Sequence, residues 1–371
     1  MWSLIYLYVF CFSLLLSLLL TPWAKRLAIK FNVLDYPGER KLQEKPMPLL
    51  GGLAIFLAFL ITILVNALIL LIIKSSPGFL NLLPSALSST LMRNLPRFLK
   101  VLPQLIGILL GGIIILLLGL IDDIKGLRPE NKILGQVLVV LPLITLGVRI
   151  TLFIPNFYIS SLITLLWMVA IINAFNLLDN MDGLTTGVGL IVCFICFIVT
   201  SQQHQTFTSV VILVFAGALL GFLRYNFNPA KIFLGDAGSM FIGYMLAVLT
   251  ITASYYKESF PTHLPIVMPI LILAVPIFDT LSVISIRIKK KEPIFGGDKN
   301  HFSHRLVALG FSQRGAVLFI YLITFCLGIT ATLLTQVNIL GGIIIFIQAA
   351  LVLTIIALLE SVAKRERGMK G

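Results

Sequence analysis

Long uncharged runs limit this chain more than any other feature of its sequence. The first run, Trp2 to Leu20, contains no Asp, Glu, Lys or Arg, and similar runs recur along the 371 residues. A helix needs about 20 apolar residues to cross the hydrocarbon core of a bilayer. Only 12% of the residues are charged, whereas about a quarter are charged in soluble domains. These proportions exclude a water-soluble globular protein, and a chain that is 58% hydrophobic is too apolar to stay disordered.

Eleven of these runs are candidates for transmembrane helices. We therefore predict an all-α, polytopic membrane protein in which residues 1–371 form a single integral membrane domain. The first run has no basic segment before it and no small-residue cleavage site after it, which predicts a retained helix rather than a cleaved signal peptide. The predicted spans cover residues 2–22, 50–73, 101–121, 133–147, 159–178, 185–200, 207–223, 240–253, 264–286, 315–334 and 340–360.

The basic residues predict the orientation of these spans. Of the 28 Lys and Arg residues, 22 fall on the side that contains the last residues of the chain. The side richer in Lys and Arg is expected to be cytoplasmic, so we predict an N-terminus outside and a C-terminus in the cytoplasm. The formal net charge of +13 is thus a signal of orientation in the inner or plasma membrane, and it predicts no nucleic-acid partner.

One segment departs from this charge pattern. Residues 74–100 carry four basic residues and yet fall on the outer side. Leu91, Leu95, Phe98 and Leu99 share one face of a helix in this segment, which predicts a short amphipathic helix at the membrane interface.

The acidic residues point to an active site on the cytoplasmic face. Nearly all of them lie on that side or at its helix ends, although acidic residues contribute little to topology. Asp279 differs because it lies within the ninth span, and an intramembrane carboxylate would also fit a secondary transporter. The predicted active site is formed by loops 23–49, 122–132, 176–184, 224–239 and 287–314.

Two adjacent carboxylates, Asp122 and Asp123, stand at the mouth of the third span. Their mutual repulsion and desolvation are easier to accommodate beside a divalent cation or a lysine. Lys125 and Lys132 follow closely and are candidates for that role. The alternative is a helix end with solvated charges.

Polar residues recur at every third position at the inner end of the fifth span: Asn173, Asn176, Asp179 and Asp182. On a helix this spacing forms one slowly drifting stripe. Buried amides and carboxylates are costly in a membrane and usually mark a site. The stripe suits Mg²⁺ or the polar groups of a nucleotide, and hydrogen bonding between helices is the alternative.

Three further segments carry candidate groups. Glycines in Gly235-Asp236-Ala237-Gly238-Ser239 allow a sharp turn through which the carboxylate can reach a metal. His301 and His304 share a helical face and, with Arg305, are suited to bind an anion such as pyrophosphate. A zinc site is the alternative for the two histidines, but the sequence places no third ligand nearby. In the first cytoplasmic loop, Arg40 is a candidate to meet a lipid phosphate.

Taken together, these loops resemble the polyprenyl-phosphate N-acetylhexosamine-1-phosphate transferase family from about Asp35 to Gly310. The motifs that carry the resemblance are Asp122-Asp123-Ile124-Lys125, the stripe from Asn173 to Leu184, Phe233 to Ser239, and Asp298-x-x-His301-x-x-His304-Arg305-Leu306. The resemblance implies transfer of a sugar 1-phosphate from a UDP-sugar to a polyprenyl phosphate lipid, with release of UMP and use of Mg²⁺ or Mn²⁺. The product would be a lipid-diphosphate-sugar for cell-envelope glycan synthesis.

The chain departs from the family pattern at two positions. Ser303 stands where a histidine is usual in the last motif, and Gln43 stands where the first loop often has a histidine. The last motif is unlike the three-histidine stretch of the branch that acts on the UDP-muramoyl pentapeptide. The resemblance therefore favours a donor similar to UDP-N-acetylglucosamine. A phospho-N-acetylmuramoyl-pentapeptide transferase and a secondary transporter remain alternatives, and a homodimer is left open.

The resemblance also implies roles for individual residues. Asp236 and Asn176 are expected to hold the metal. The expected catalytic residues are Asp122, Asp123, His301 and His304. The expected substrate-binding residues are Lys125, Lys132, Asn173, Asp179, Asp182, Arg305 and Arg40.

Overall fold

Helices dominate the computed structural model, which describes residues 1–37, 45–76, 78, 84–151, 154–257, 259–293 and 301–368, with side chains through Leu358. Arg40 and Asp298 lie outside the described residues. The helices are α1 (Trp2–Lys30), α2 (Gly51–Ser75), α3 (Ser85–Lys125), α4 (Pro129–Thr145), α5 (Phe157–Leu178), α6 (Leu184–Gln202), α7 (Thr206–Asn226), α8 (Gly235–Thr252), α9 (Met268–Ile272), α10 (Ala274–Lys290), α11 (Phe302–Ala308), α12 (Gln313–Thr332) and α13 (Ile339–Gly368). Short 3₁₀ helices cover Leu264–Val267 and Leu333–Thr335, and two-residue strands β1 (Leu34–Asp35) and β2 (Met47–Pro48) pair antiparallel.

The helical architecture confirms the predicted all-α, polytopic membrane fold. Nine helices in the described residues are long and apolar enough to cross a membrane, or ten when the bent pair of Leu264–Ile272 and Ala274–Lys290 is one span. The fourth predicted span corresponds to α4, which has 17 residues and is shorter than these helices. The orientation of the bundle in the membrane stays a prediction.

The ninth predicted span is not a continuous helix. The chain bends by 66° between its two parts at Leu273. Pro276, in the first turn of α10, has no backbone N–H and cannot donate to the carbonyl of Ile272. Residues 264–286 thus form a bent pair of helices, which is a broken span or a re-entrant loop, and their crossing of the membrane as one span stays a prediction.

The amphipathic segment before the third span is also different from its prediction. Instead of forming a separate interfacial helix, it is the first part of α3, which runs unbroken for 41 residues. Leu95 and Phe98 are buried, and Arg93 and Arg97 are exposed. The predicted apolar face is present, but no break separates it from the span that follows.

Helix α8 lies at the centre of the bundle and is buried along nearly its whole length. Its neighbours approach it closely because glycines replace side chains at the contacts. A Cβ atom on Gly52 would lie 2.3 Å from the backbone nitrogen of Gly238, and one on Gly119 would lie 2.3 Å from the Cα of Ala237. Helices α2 and α3 therefore pack directly against the backbone of the first turn of α8.

Backbone hydrogen bonds connect the start of α8 to the segment that follows β2. The N–H groups of Gly51 and Gly52 donate to the carbonyls of Phe233 and Leu234, at 3.1 and 2.9 Å. The N–H of Phe233 in turn donates to the carbonyl of Pro48 at 2.8 Å. These bonds hold the first residues of α8 at the same end of the bundle as the last turn of α3.

Candidate active site

Asp123 joins the end of α3 to the start of α8. Its Oδ1 accepts a hydrogen bond from the backbone N–H of Asp236 at 2.7 Å, and its Oδ2 accepts one from Ala237 at 3.1 Å. The first N–H groups of a helix have no partners within the helix and carry its positive dipole end. The Asp123 carboxylate satisfies two of them and so fixes the position of Asp236.

A lysine lies between the other two carboxylates. Lys132, in the first turn of α4, forms an ion pair with Asp122, and its Nζ lies 3.4 Å from Oδ2 of Asp236. Asp122 is buried and also accepts the N–H of Leu127 at 2.7 Å, whereas 37% of the Asp236 side chain is exposed. Asp236 is thus the carboxylate that a solute can reach.

The Asn176 side chain brings α5 to the same cluster. Its Nδ2 donates to Oδ1 of Asp236 at 2.7 Å and lies 3.0 Å from Oγ of Ser239. Helix α5 reaches this position because Gly243 of α8 lets the backbone of Ile172 approach; a Cβ there would lie 2.7 Å from the Ile172 Cα. Asn176 and Asp236 are therefore adjacent, as the expected metal-binding role requires.

The cluster contains some of the groups that a magnesium site uses, but not a complete set. Mg²⁺ prefers carboxylate and amide oxygens. The carboxylates of Asp122 and Asp236 meet here, whereas Asn176 presents its amide nitrogen Nδ2 to Asp236. Within the described ranges, no three His, Cys, Asp or Glu side chains converge as a metal-binding group. The ammonium group of Lys132 stands between Asp122 and Asp236. Asp122 and Asp236 therefore share one positively charged neighbour.

Two other members of the polar stripe make structural contacts. Asn173 donates to Oε1 of the buried Gln136 at 2.7 Å and so connects α5 with α4. Oδ2 of Asp182 accepts hydrogen bonds from Nδ2 of Asn228 and the N–H of Ala230, each at 3.0 Å. For Asn173 the structure contains the hydrogen bonding between helices that the sequence left as an alternative.

Asp179 caps the carboxyl end of α5 and carries an unusual carboxyl group. Burial, together with the nearby charges of Asp236 and Asp182, raises its pKa to about 7, although the Thr185 hydroxyl acts in the opposite sense. Desolvation disfavours the charged form of an acid, and negative neighbours add to that effect. Asp179 therefore changes charge near neutral pH.

Asp279 holds His301 in place. Its Oδ2 lies 2.9 Å from Nδ1 of His301, and its Oδ1 accepts the N–H of Phe302 at 2.6 Å. Both Asp279 and His301 are buried. Because a carboxylate only accepts hydrogen bonds, this geometry assigns a hydrogen on Nδ1 to the contact and leaves Nε2 as the ring nitrogen outside it.

The rest of α11 is anchored to two other segments. Nη2 of Arg305 donates to Oγ of Ser282 at 2.8 Å, and Oγ of Ser303 donates to Oδ1 of Asn180. The ring centres of His301 and His304 are 6.4 Å apart. Ser303, where the family pattern usually has a histidine, thus connects α11 to the loop after α5.

The structure brings most of the predicted residues to one end of the bundle, with clear exceptions. Lys125 is exposed in the last turn of α3, and Lys132 is the lysine that contacts the carboxylates. Arg40 and the Asp298 of the last motif cannot be placed, because they lie outside the described residues. The role of Asp279 as the partner of His301 was missed by the sequence analysis, although its position in an apolar span was a signal.

Comparisons with known proteins find similar sequences along most of the chain. The model of glycosyl transferase family 4 matches residues 105–254. The chain is 36% identical over 347 residues to a probable undecaprenyl-phosphate N-acetylglucosaminyl 1-phosphate transferase of Bacillus subtilis, covering 91% of this chain and 87% of that protein. It is 34% identical to a decaprenyl-phosphate N-acetylglucosaminephosphotransferase of Mycolicibacterium smegmatis, covering 81% and 75%. A phospho-N-acetylmuramoyl-pentapeptide-transferase of Lactobacillus johnsonii is 37% identical, but over only 36% of this chain and 48% of that protein.

Proposed function

The chain belongs to glycosyl transferase family 4, and from that premise we propose that it transfers N-acetylglucosamine 1-phosphate from a UDP-sugar to a polyprenyl phosphate. The observation that carries the proposal is the contact of the Lys132 ammonium group with Asp122 and Asp236. Asn176 donates to Asp236 in the same cluster, and Asp123 holds the start of α8. The similarity to a named N-acetylglucosaminyl 1-phosphate transferase along 91% of the chain supports this donor over the muramoyl pentapeptide.

In this reaction an oxygen of the lipid phosphate attacks the sugar-bearing phosphorus of the UDP-sugar. The bond from that phosphorus to the oxygen shared with the uridine-bearing phosphate breaks, and UMP leaves with the electron pair. Catalysis of phosphoryl transfer consists mainly of positioning the groups and neutralising their charge. Three anionic phosphates must therefore meet where the chain supplies cations.

Each group of the cluster has a role in this proposal. Asp123 positions Asp236, since each of its oxygens accepts a backbone N–H group at the start of α8. Its expected catalytic role stays part of the proposal, because each carboxylate oxygen has a second acceptor site. Nζ of Lys132 lies 3.4 Å from Oδ2 of Asp236, so the ammonium group can shift its ion pair from this carboxylate to a substrate phosphate. When Mg²⁺ or Mn²⁺ is bound by Asp236 and the Asn176 amide oxygen, with Asp122 beside them, it supplies neutralisation of the pyrophosphate charge.

The histidine segment supplies the second wall of the site. We assign His301, His304 and Arg305 to the pyrophosphate, because imidazolium and guanidinium groups donate to phosphate oxygens. In this role His301 carries hydrogens on both ring nitrogens, with Nδ1–H on Asp279. Asp279 is a positioning residue that holds the His301 ring. Asp179 and Asp182 stay assigned to the uridine side of the substrate. The cluster is expected to face the cytoplasm, where a nucleotide sugar is available.

A secondary transporter is the alternative from another class of protein. Its main support was Asp279 within an apolar span, and that carboxylate is paired with His301 beside the candidate site. The other carboxylates gather at one end of the bundle rather than at its middle. Substrate flux into proteoliposomes without UMP formation would favour transport.

The test is UMP release by the purified protein from a panel of UDP-sugars. We expect release from UDP-N-acetylglucosamine that requires both polyprenyl phosphate and Mg²⁺. Asp236→Asn is expected to abolish it, whereas Glu130→Gln, at an exposed carboxylate in the first turn of α4, retains it. Full activity of Asp236→Asn, or UMP release without the lipid phosphate, would contradict the proposal.

A further inference from the structure

A cavity lies at the end of the bundle opposite the carboxylates. Its volume is about 220 Å³, and residues from α1, α2, α3, α7 and α8 line it on the sides where it is not open. Ile63, Leu70, Phe98 and Val211 are typical of its walls. Val248 is one of the wall residues on α8. It is twelve residues beyond Asp236, which corresponds to roughly 18 Å along the helix axis. The cavity is therefore separate from the candidate active site.

Four polar side chains in the cavity wall each donate a hydrogen bond within their own helix. Asn66 and Asn94 donate to backbone carbonyls four residues earlier, each at 2.8 Å. Thr90 and Thr252 make the same kind of bond, at 2.7 and 2.9 Å. Apolar cavities of about 150 Å³ stay dry and take up apolar ligands. In a chain that spans a membrane, the apolar ligand at hand is a lipid hydrocarbon chain.

A basic edge borders this cavity along α3. At 100° per residue, Asn94, Phe98 and Val101 form the stripe that faces the cavity. Arg97 lies about 60° and Arg93 about 100° to one side of Asn94 on the same helix. Both arginines are exposed, and so is Lys100, which follows on that side. Their long side chains can keep the charge in the headgroup region while their stems lie on apolar surface.

We propose that the cavity and its basic edge bind one anionic phospholipid. One acyl chain occupies the cavity, and the phosphate lies at Arg93 and Arg97. The proposal accounts for the basic residues of segment 74–100, which the charge pattern of the other loops does not explain. Lys74 fits the same arrangement, because it is exposed one turn beyond the cavity residue Leu70 at the end of α2.

Native mass spectrometry of the full chain, released from detergent after incubation with phosphatidylglycerol or phosphatidylcholine, tests this site. We expect one tightly retained phosphatidylglycerol and much weaker retention of phosphatidylcholine. Each basic side chain near an anionic lipid contributes roughly a factor of five in affinity, so Arg93→Gln/Arg97→Gln is expected to weaken binding by roughly 25-fold. Lys289→Gln/Lys290→Gln removes the same charge from exposed residues of α10 and is expected to leave retention unchanged.

A second variant tests the cavity itself. Ala67 lines it and is only partly buried, so Ala67→Phe fills space without removing a contact. Loss of retained phosphatidylglycerol at an unchanged unfolding temperature supports the proposal. Equal retention of the two lipids, or full retention by both the filled and the charge-reduced variants, would overturn it. Replacement of phosphatidylglycerol by polyprenyl phosphate at a lower concentration would also overturn it, since the occupant would then be the substrate lipid.

Discussion

Replacing Asp279 by Asn tests how the fold prepares the histidine segment. The carboxylate accepts two hydrogen bonds inside the protein, from Nδ1 of His301 at 2.9 Å and from the N–H of Phe302 at 2.6 Å. An Asn side chain has the same shape and can keep one acceptor for Phe302. Its amide group then faces the imidazole as a donor, which requires Nδ1 to accept, so the ring can no longer carry hydrogens on both nitrogens as a charged partner of the pyrophosphate.

The size of the effect follows from the bond that is lost. A hydrogen bond to a charged group contributes roughly 1.5 to 3 kcal/mol, which corresponds to roughly a 10- to 100-fold change in rate or affinity. Removing the carboxylate that orients a functional histidine typically costs a similar factor. We therefore expect kcat/KM for UMP release to fall by roughly 10- to 100-fold in Asp279→Asn.

A double-mutant cycle separates this role from a general loss of stability. In a His301→Ala background, Asp279→Asn is expected to have little further effect, because the two residues act through one contact. Ser285→Ala is the matched control on α10; its exposed hydroxyl bonds only to the carbonyl of Leu281 in the same helix among the contacts seen in the described residues. A kcat/KM of Asp279→Asn within two-fold of wild type, or independent effects of the two substitutions, would refute the reasoning.

Three further outcomes follow from the described contacts. Gly52→Ala should abolish activity and lower the unfolding temperature, because its Cβ would lie 2.3 Å from the backbone of Gly238. A Cβ on Gly78 would meet no atom of the described residues within 4 Å, so Gly78→Ala should be neutral. Equal unfolding temperatures of the two variants would count against this packing. Asp123→Ala leaves two N–H groups at the start of α8 without their acceptor. It should lower the free energy of unfolding, measured by chemical denaturation, by roughly 1 to 2 kcal/mol. An unchanged denaturation midpoint would show that the contact is weak. The pKa of Asp179 is raised to about 7 in the folded protein, so the folded protein keeps a proton that the unfolded chain releases. The free energy of unfolding therefore falls as the pH rises from about 4 to about 7. The unfolding temperature of Asp179→Asn should fall less over this pH range, and a profile identical to that of the wild type would assign the pH dependence elsewhere.

The helices could be predicted from sequence because uncharged runs of this length leave few alternatives in a bilayer. The break at Leu273 was harder to predict, since prolines within membrane helices are often tolerated. Pro96 and Pro103 lie inside the unbroken α3, while Pro276 accompanies a bend of 66°. The difference depends on how neighbouring helices pack around each proline.

The sequence predicted which residues belong to the candidate site better than it predicted which of them contact each other. Asp122, Asn176 and Asp236 were expected together because the ends of their helices meet on one side. The choice of Lys132 over Lys125 depends on the turn at Gly126, where a φ of 67° reverses the chain, and no sequence pattern gives that direction. The pairing of Asp279 with His301 joins residues 22 positions apart through a segment whose path the sequence does not reveal.

The backbone hydrogen bond from Gly52 to Leu234 sets an order for assembly during synthesis. The two residues are about 180 positions apart in the chain, and contacts of such long range form late. A ribosome-bound chain that ends before α8 has α2 and α3 in the membrane but no acceptor for Gly52 and no helix start for Asp123 to cap. Truncated products thus contain Asp122 and Lys132 but lack Asp236, and completion of the site should coincide with insertion of the eighth helix.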